Sequence, residues 1–306
     1  MTESRTFGSQ RTTAIVLLAF AFVCPIVMCM WKLMVDTLFG VLAFAVFVLE
    51  NGMDQFNGDP VQILRSDILG LSFFASIGGL VGLAWLFSWF MKWPVKSTFA
   101  FVRVHWIFVI LPLAIGCVVG LFPGWIVGLL SDLLPSLVNN SALELVEKML
   151  LEGPLFGRVI SILAVCVGAP ILEELLFRGF LWTLFERTAN ALFRGTPHTP
   201  TPDTAPMIGG YVAFVLTSVG FAAFHMDPIQ STALLFTAFA LGLVRLLSGS
   251  IWPCIIVHFV NNTLATCIAL SGQSEVSLGL LTSVSGAILT ALFILACYPK
   301  RSWNIQ

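Results

Sequence analysis

Apolar runs long enough to cross a bilayer follow one another along nearly the whole chain, and no other feature restricts its fold as strongly. A membrane-spanning helix needs about 20 predominantly apolar residues. Such runs occupy residues 13–31, 67–91, 101–122, 156–186, 208–226, 229–247, 250–270 and 278–298, with a shorter one at 36–49 that begins at Asp36. Composition agrees: 58% of the 306 residues are hydrophobic and 10% charged, against roughly 25% charged in a soluble domain. The expected fold is all-α, a polytopic membrane protein with eight or nine spans. Nine holds if 36–49 crosses separately and eight if it does not. The net charge of −1 offers no basic surface for nucleic acid, and none is expected as a partner; the lipid bilayer is.

The chain divides into residues 1–154, amino-terminal helices plus a connector, residues 155–270, a helical core, and residues 271–306, a last helix and short tail. The connector at 122–154 scatters Asp132, Glu144, Glu147 and Lys148 among apolar residues, as an interfacial amphipathic element does. The loop 194–206 is rich in proline and cannot form regular structure; His198 there reads as solvated. The run 13–31 lacks a small-residue cleavage site after it and reads as a retained helix. With nine spans and the amino terminus outside, Lys32, Lys92 and Lys96, Arg187 and Arg194, Arg245, and Lys300 with Arg301 fall on the inner side. The seven cysteines all lie in apolar runs without a Cys-x-x-Cys pair, so neither a disulfide framework nor a zinc knuckle is expected.

Against this background the stretch "GAPILEELLFRGFLW", 168–182, is costly. A charge at the bilayer centre carries a penalty of about 2.5–3.5 kcal/mol, and here Glu173, Glu174 and Arg178 fall within six residues. Pro170 removes a backbone donor and should kink or restart the helix. Glu174 and Arg178, four apart, share a face and can pair. Glu173 points about 100° away and needs a partner elsewhere, because a buried unpaired carboxylate is expensive. A plain salt-bridge cluster explains the first two residues and leaves Glu173 unexplained.

Two later runs supply partners. "SVGFAAFHMDP" puts Phe221 and His225 one turn apart, and "GSIWPCIIVHFVNNTLATC" does the same for His258 and Asn262. A single membrane histidine is commonly an interhelical hydrogen-bonding residue, which is the reading for His105, with Arg103 beside it snorkelling to the interface. Two histidines, an asparagine and a spare carboxylate together suit amide hydrolysis in a dry cavity. Glu173, removed from water, becomes a competent proton acceptor, and His225 can help hold the attacking water. His258 and Asn262 can both aim at one developing oxyanion. The other route is metal-assisted, with Glu173, His225 and His258 on zinc and an open position for water; spacing alone leaves both open, although His-Glu-x-x-His is absent.

The ordered set Glu173-Glu174-x-x-x-Arg178, Phe221-x-x-x-His225 and His258-x-x-x-Asn262 resembles the three-motif signature of the CPBP intramembrane proteases, which include type II CAAX prenyl endopeptidases and bacteriocin-processing or self-immunity proteins. The likeness covers roughly 155–270. It implies helices around a conical intramembrane cavity and an endopeptidase cutting near the membrane interface. It also implies Glu173 as catalytic glutamate with His225 on the water, His258 and Asn262 as the oxyanion site, and Glu174 and Arg178 in support. The expected substrate is a peptide or membrane protein, prenylated or not. No cofactor is required on this reading, with zinc as the second option, and the surrounding text is similar to bacterial members, which implies the cytoplasmic membrane. Two other classes compete. A silent immunity or binding protein of the same fold should lack part of the polar set. A proton-coupled transporter should show paired inverted repeats with broken helices, and only one such element, at Pro170, is visible. Gly-x-Ser-Gly and Gly-x-Gly-Asp are absent from the spans, which disfavours serine and aspartyl intramembrane proteolysis.

Overall fold

A computed structural model describes residues 2–58, 63, 65–133, 151, 154–193, 205–225 and 228–271. Among them the long regular elements are all helices: α1 (Thr2–Asn51), α2 (Ser66–Phe90), a short α3 (Val95–Thr98), α4 (Ile107–Leu133), α5 (Leu155–Phe193), α6 (Ala205–Ala223), α7 (Pro228–Ser248) and α8 (Trp252–Ser271). Five are long and apolar enough to cross a membrane: Ala14–Asn51, Ser66–Phe90, Leu155–Phe193, Gln230–Ser248 and Trp252–Leu270. Ile107–Gly120 and Ile208–Ala223 are apolar but shorter. The architecture is that of a polytopic membrane protein. The expected span at 278–298, the loop containing His198 and most of the connector lie outside the described residues.

One expectation needs correction. The run 36–49 is not a separate crossing, because α1 continues unbroken through it. Lys32 and Asp36, four residues apart, pair across one turn at 2.6 Å, so these charges decorate a helix surface instead of ending it. The nine-span scheme, and the orientation that treated Lys32 as a loop residue, go with that separate crossing. Pro170 does mark a restart: it stands in the first turn of a regular α segment, Ala169–Glu174, within the continuous α5. Two turns widened to π geometry, Ala164–Gly168 and Leu175–Leu181, flank that segment. Widened turns of this kind absorb an extra residue and favour functional sites.

α5 is the centre of the molecule. Leu176, Phe177, Phe180, Leu181, Trp182 and Leu184 are all nearly inaccessible and form one core cluster with residues of α1, α2 and α6. Side-chain hydroxyls tie α5 to its neighbours, Ser161 Oγ donating to the Ser66 carbonyl at 2.9 Å and Thr183 Oγ1 to that of Thr98 at 2.8 Å. In a bilayer, where lipid tails are as apolar as the helices, close backbone approach and such bonds drive association. The α4–α8 contact shows the first device: a Cβ on Gly116 would sit 2.6 Å from the Val260 side chain, and one on Gly120 would sit 3.2 Å from the Asn261 backbone. Those two glycines let α8 press against α4, which sets where its polar residues lie.

Candidate active site

The regular segment between the two widened turns ends in Glu173 and Glu174. Glu174 and Arg178 are fully inaccessible, and Arg178 Nη1 donates to Glu174 Oε1 at 2.9 Å. The same oxygen faces His258 Nδ1 at 2.9 Å. A carboxylate only accepts, so Nδ1 carries the proton and Nε2 is the nitrogen left to face the cavity. That Nε2 lies 3.9 Å from Glu173 Oε2. One imidazole is thus seated between two buried carboxylates, of which Glu174 is neutralised by Arg178.

α7 completes the support of Arg178, whose Nη2 donates to the Ala238 carbonyl at 3.0 Å. Ser218 of α6 donates to the same carbonyl at 3.1 Å. The Arg178 guanidinium also lies 4.5 Å from the ring centroid of Phe221. Phe221, nearly inaccessible, meets the ring of His225 at 5.3 Å and that of His258 at 5.8 Å. Its motif position is explained by this: one ring spaces both imidazoles and covers the cation.

His225 Nδ1 lies 3.0 Å from the Phe221 carbonyl. A carbonyl cannot donate, so again Nδ1 holds the proton and Nε2 is the acceptor nitrogen. Glu173 and His258 both interact with His225 electrostatically, as does Lys32 of α1. The three groups singled out from separate motifs, Glu173, His225 and His258, therefore lie within electrostatic reach of one another. Asn262 is one turn beyond His258. Its Nδ2 donates to the Val165 carbonyl at 2.9 Å, and its Oδ1 accepts from Asn261 Nδ2 at 2.7 Å. The Val165 carbonyl is five residues before Pro170, where a π-turn would look for an N–H that proline lacks. Asn262 fills that gap with one amide hydrogen and keeps the other.

The site was read from sequence as Glu173 facing both histidines with Glu174 kept apart. The structure instead puts His258 in closer contact with Glu174 than with Glu173. The residues sequence reasoning missed are Val165 and Asn261, which fix the asparagine, and Ala238, which fixes the arginine; a backbone carbonyl leaves no signal in residue identity. His105 stands elsewhere, its Nδ1 accepting from the Ile107 N–H at the start of α4 at 3.5 Å.

Among the described residues no group of three His, Cys, Asp or Glu side chains converges as metal ligands. Glu173, His225 and His258 are among those residues, so as arranged they form no ready zinc site.

A cavity of about 620 Å³ lies between α1, α5 and α6, lined by side chains such as Phe22, Met28, Phe177, Phe185, Leu216 and Phe224. It is almost wholly apolar. Phe177 stacks edge-on against Phe221 at 5.2 Å, so the cavity ends one aromatic ring short of the two imidazoles.

No curated protein and no solved structure matches the chain. A family model does match, that of the type II CAAX prenyl endopeptidase Rce1-like proteins, over residues 155–264. This range contains all three motifs and begins with α5. Residues 155–264 are thus similar to a type II CAAX prenyl endopeptidase Rce1-like domain, and they hold the buried Glu173/Glu174/His258 cluster.

Proposed function

We propose that the protein is an intramembrane endopeptidase that hydrolyses a peptide bond near the membrane interface with a glutamate-activated water. The observation that carries this reading is the placement of Glu173 beside His258 Nε2 while Glu174 and Arg178 hold the other face of the same ring. A second carboxylate and an arginine spent on orienting one imidazole are hard to account for unless that imidazole acts.

A water between Glu173 and His225 gives one O–H to Nε2 of His225 and the other to Glu173. As its oxygen attacks the scissile carbonyl, Glu173 takes the proton and later returns it to the leaving amine. In its doubly protonated form His258 keeps Nδ1–H on Glu174 and offers Nε2–H to the oxyanion. The second Asn262 amide hydrogen is the other donor. Such preset donors account for about 10²–10³ in rate each. The apolar cavity next to the site supports a substrate that brings an apolar or lipidated segment, and the bacterial cytoplasmic membrane is the location this reading favours.

The test compares new peptide termini in membranes from cells making wild type or Glu173→Gln. Termini that appear with wild type and vanish with the variant support the reading. Identical sets of termini would contradict it.

A further inference from the structure

Arg245 of α7 has no part in the motifs, yet it is 8% exposed within the bundle. A buried guanidinium needs strong compensation; Cys254 of α8 interacts with its charge, and its hydrogen-bond and ring partners lie on α5. Its Nε donates to the Arg178 carbonyl at 3.1 Å. Its guanidinium lies 5.1 Å from the Trp182 ring centroid. Glu186 interacts with its charge and accepts a hydrogen bond from Trp182. Residues 178, 182 and 186 are spaced by four, so Arg245 spans one stripe of α5 immediately after the glutamates.

The Arg178 carbonyl belongs to the second widened turn, Leu175–Leu181. Ala238 and Arg245 are seven apart, two turns along one face of α7. From that face Ala238 accepts from the Arg178 side chain while Arg245 donates to the Arg178 backbone. The arrangement is reciprocal, and it mirrors the first widened turn, where Asn262 of α8 holds the Val165 carbonyl. If such a turn relaxed to α geometry, each residue beyond it would swing by about 100° relative to the segment before it. Glu174 and Arg178 would then lose their register with His258.

We propose that Arg245 is a positioning residue: by holding the Arg178 carbonyl it keeps the Leu175–Leu181 turn open and so sets Arg178 on Glu174 and Glu174 on His258. This rests on the peptidase reading for its kinetic consequence only. The variants are Arg245→Met, which keeps the apolar stem, and Arg245→Lys, which keeps the charge without the planar fork. The full chain is studied in detergent with ¹⁵N-labelled histidine, where His258 is one of four residues observed. Thr183→Val, which removes a bond between α5 and the α3 end, serves as a control for plain loss of packing.

The expected result is a shifted His258 Nδ1 signal in both Arg245 variants, larger for Met, and none in Thr183→Val. On a verified substrate kcat falls about tenfold to a hundredfold, as small misplacements do, with KM within about twofold. An unmoved His258 signal in the folded variants overturns the proposal, whether or not turnover is lost. So does a moved signal with unchanged kcat. If Arg245→Met fails to fold, Arg245→Lys decides alone. Should wild type cleave nothing, the imidazole signal still tests the positioning role, so the two claims fail separately.

Discussion

α1 and α5 each contain an acid–base pair one turn apart, and the two pairs differ in almost everything else. Lys32–Asp36 is the shorter at 2.6 Å, but its side chains are 24% and 42% exposed. Glu174–Arg178 is 2.9 Å and wholly inaccessible on both sides. An exposed helical pair contributes about 0.3–0.5 kcal/mol. Removing one partner of a buried pair costs about 3–5 kcal/mol, mostly from the stranded charge. Distance therefore says little about importance here. What separates the pairs is that Glu174 and Arg178 are each engaged again, by His258 and by the Ala238 carbonyl.

The sharpest way to break this contrast is to strand one buried charge. Glu174→Ala or Arg178→Ala should lower unfolding free energy by about 3–5 kcal/mol, read by denaturation in detergent, and should remove turnover as well. Asn262→Ala comes next. It should cut kcat by a factor of about 10²–10³ while the uncapped Val165 carbonyl costs stability on the order of 1 kcal/mol. An asparagine with only the second effect would show no rate loss beyond that of unfolding. Gly116→Val follows, because its new atoms would meet Val260; overpacking of this kind costs about 1–3 kcal/mol, and the stability of the α4–α8 contact is the readout. Smallest is Asp36→Asn on α1, with a change of no more than about 0.5 kcal/mol. A loss comparable to that of Arg178→Ala would erase the distinction between the two helices.

The same comparison shows what residue identity discloses. Helical spacing placed the Glu174–Arg178 pair correctly, and hydropathy located α2 as 67–91 against Ser66–Phe90. It misjudged α1, because Asp36 looked like a boundary when its partner Lys32 already lay one turn before it. Of the residues the three motifs named, Arg178, His225 and His258 gather around Phe221. Their detailed pairing was not legible. The widened turns, the Val165 and Ala238 carbonyls, and Arg245 beneath the Arg178 carbonyl depend on backbone path, which side-chain type does not encode. Pro170 was the visible trace of the first widened turn, and the polar spacing of Arg178, Trp182 and Glu186 was the visible trace of the Arg245 contact.

The most direct test of the account is turnover of a verified substrate by purified Glu173→Gln, measured beside its unfolding midpoint. Glutamine keeps the shape and leaves the Glu174–Arg178–His258 network untouched, so folding should stay close to wild type while cleavage falls to background. Full turnover by this variant would contradict the assignment of Glu173 as the base.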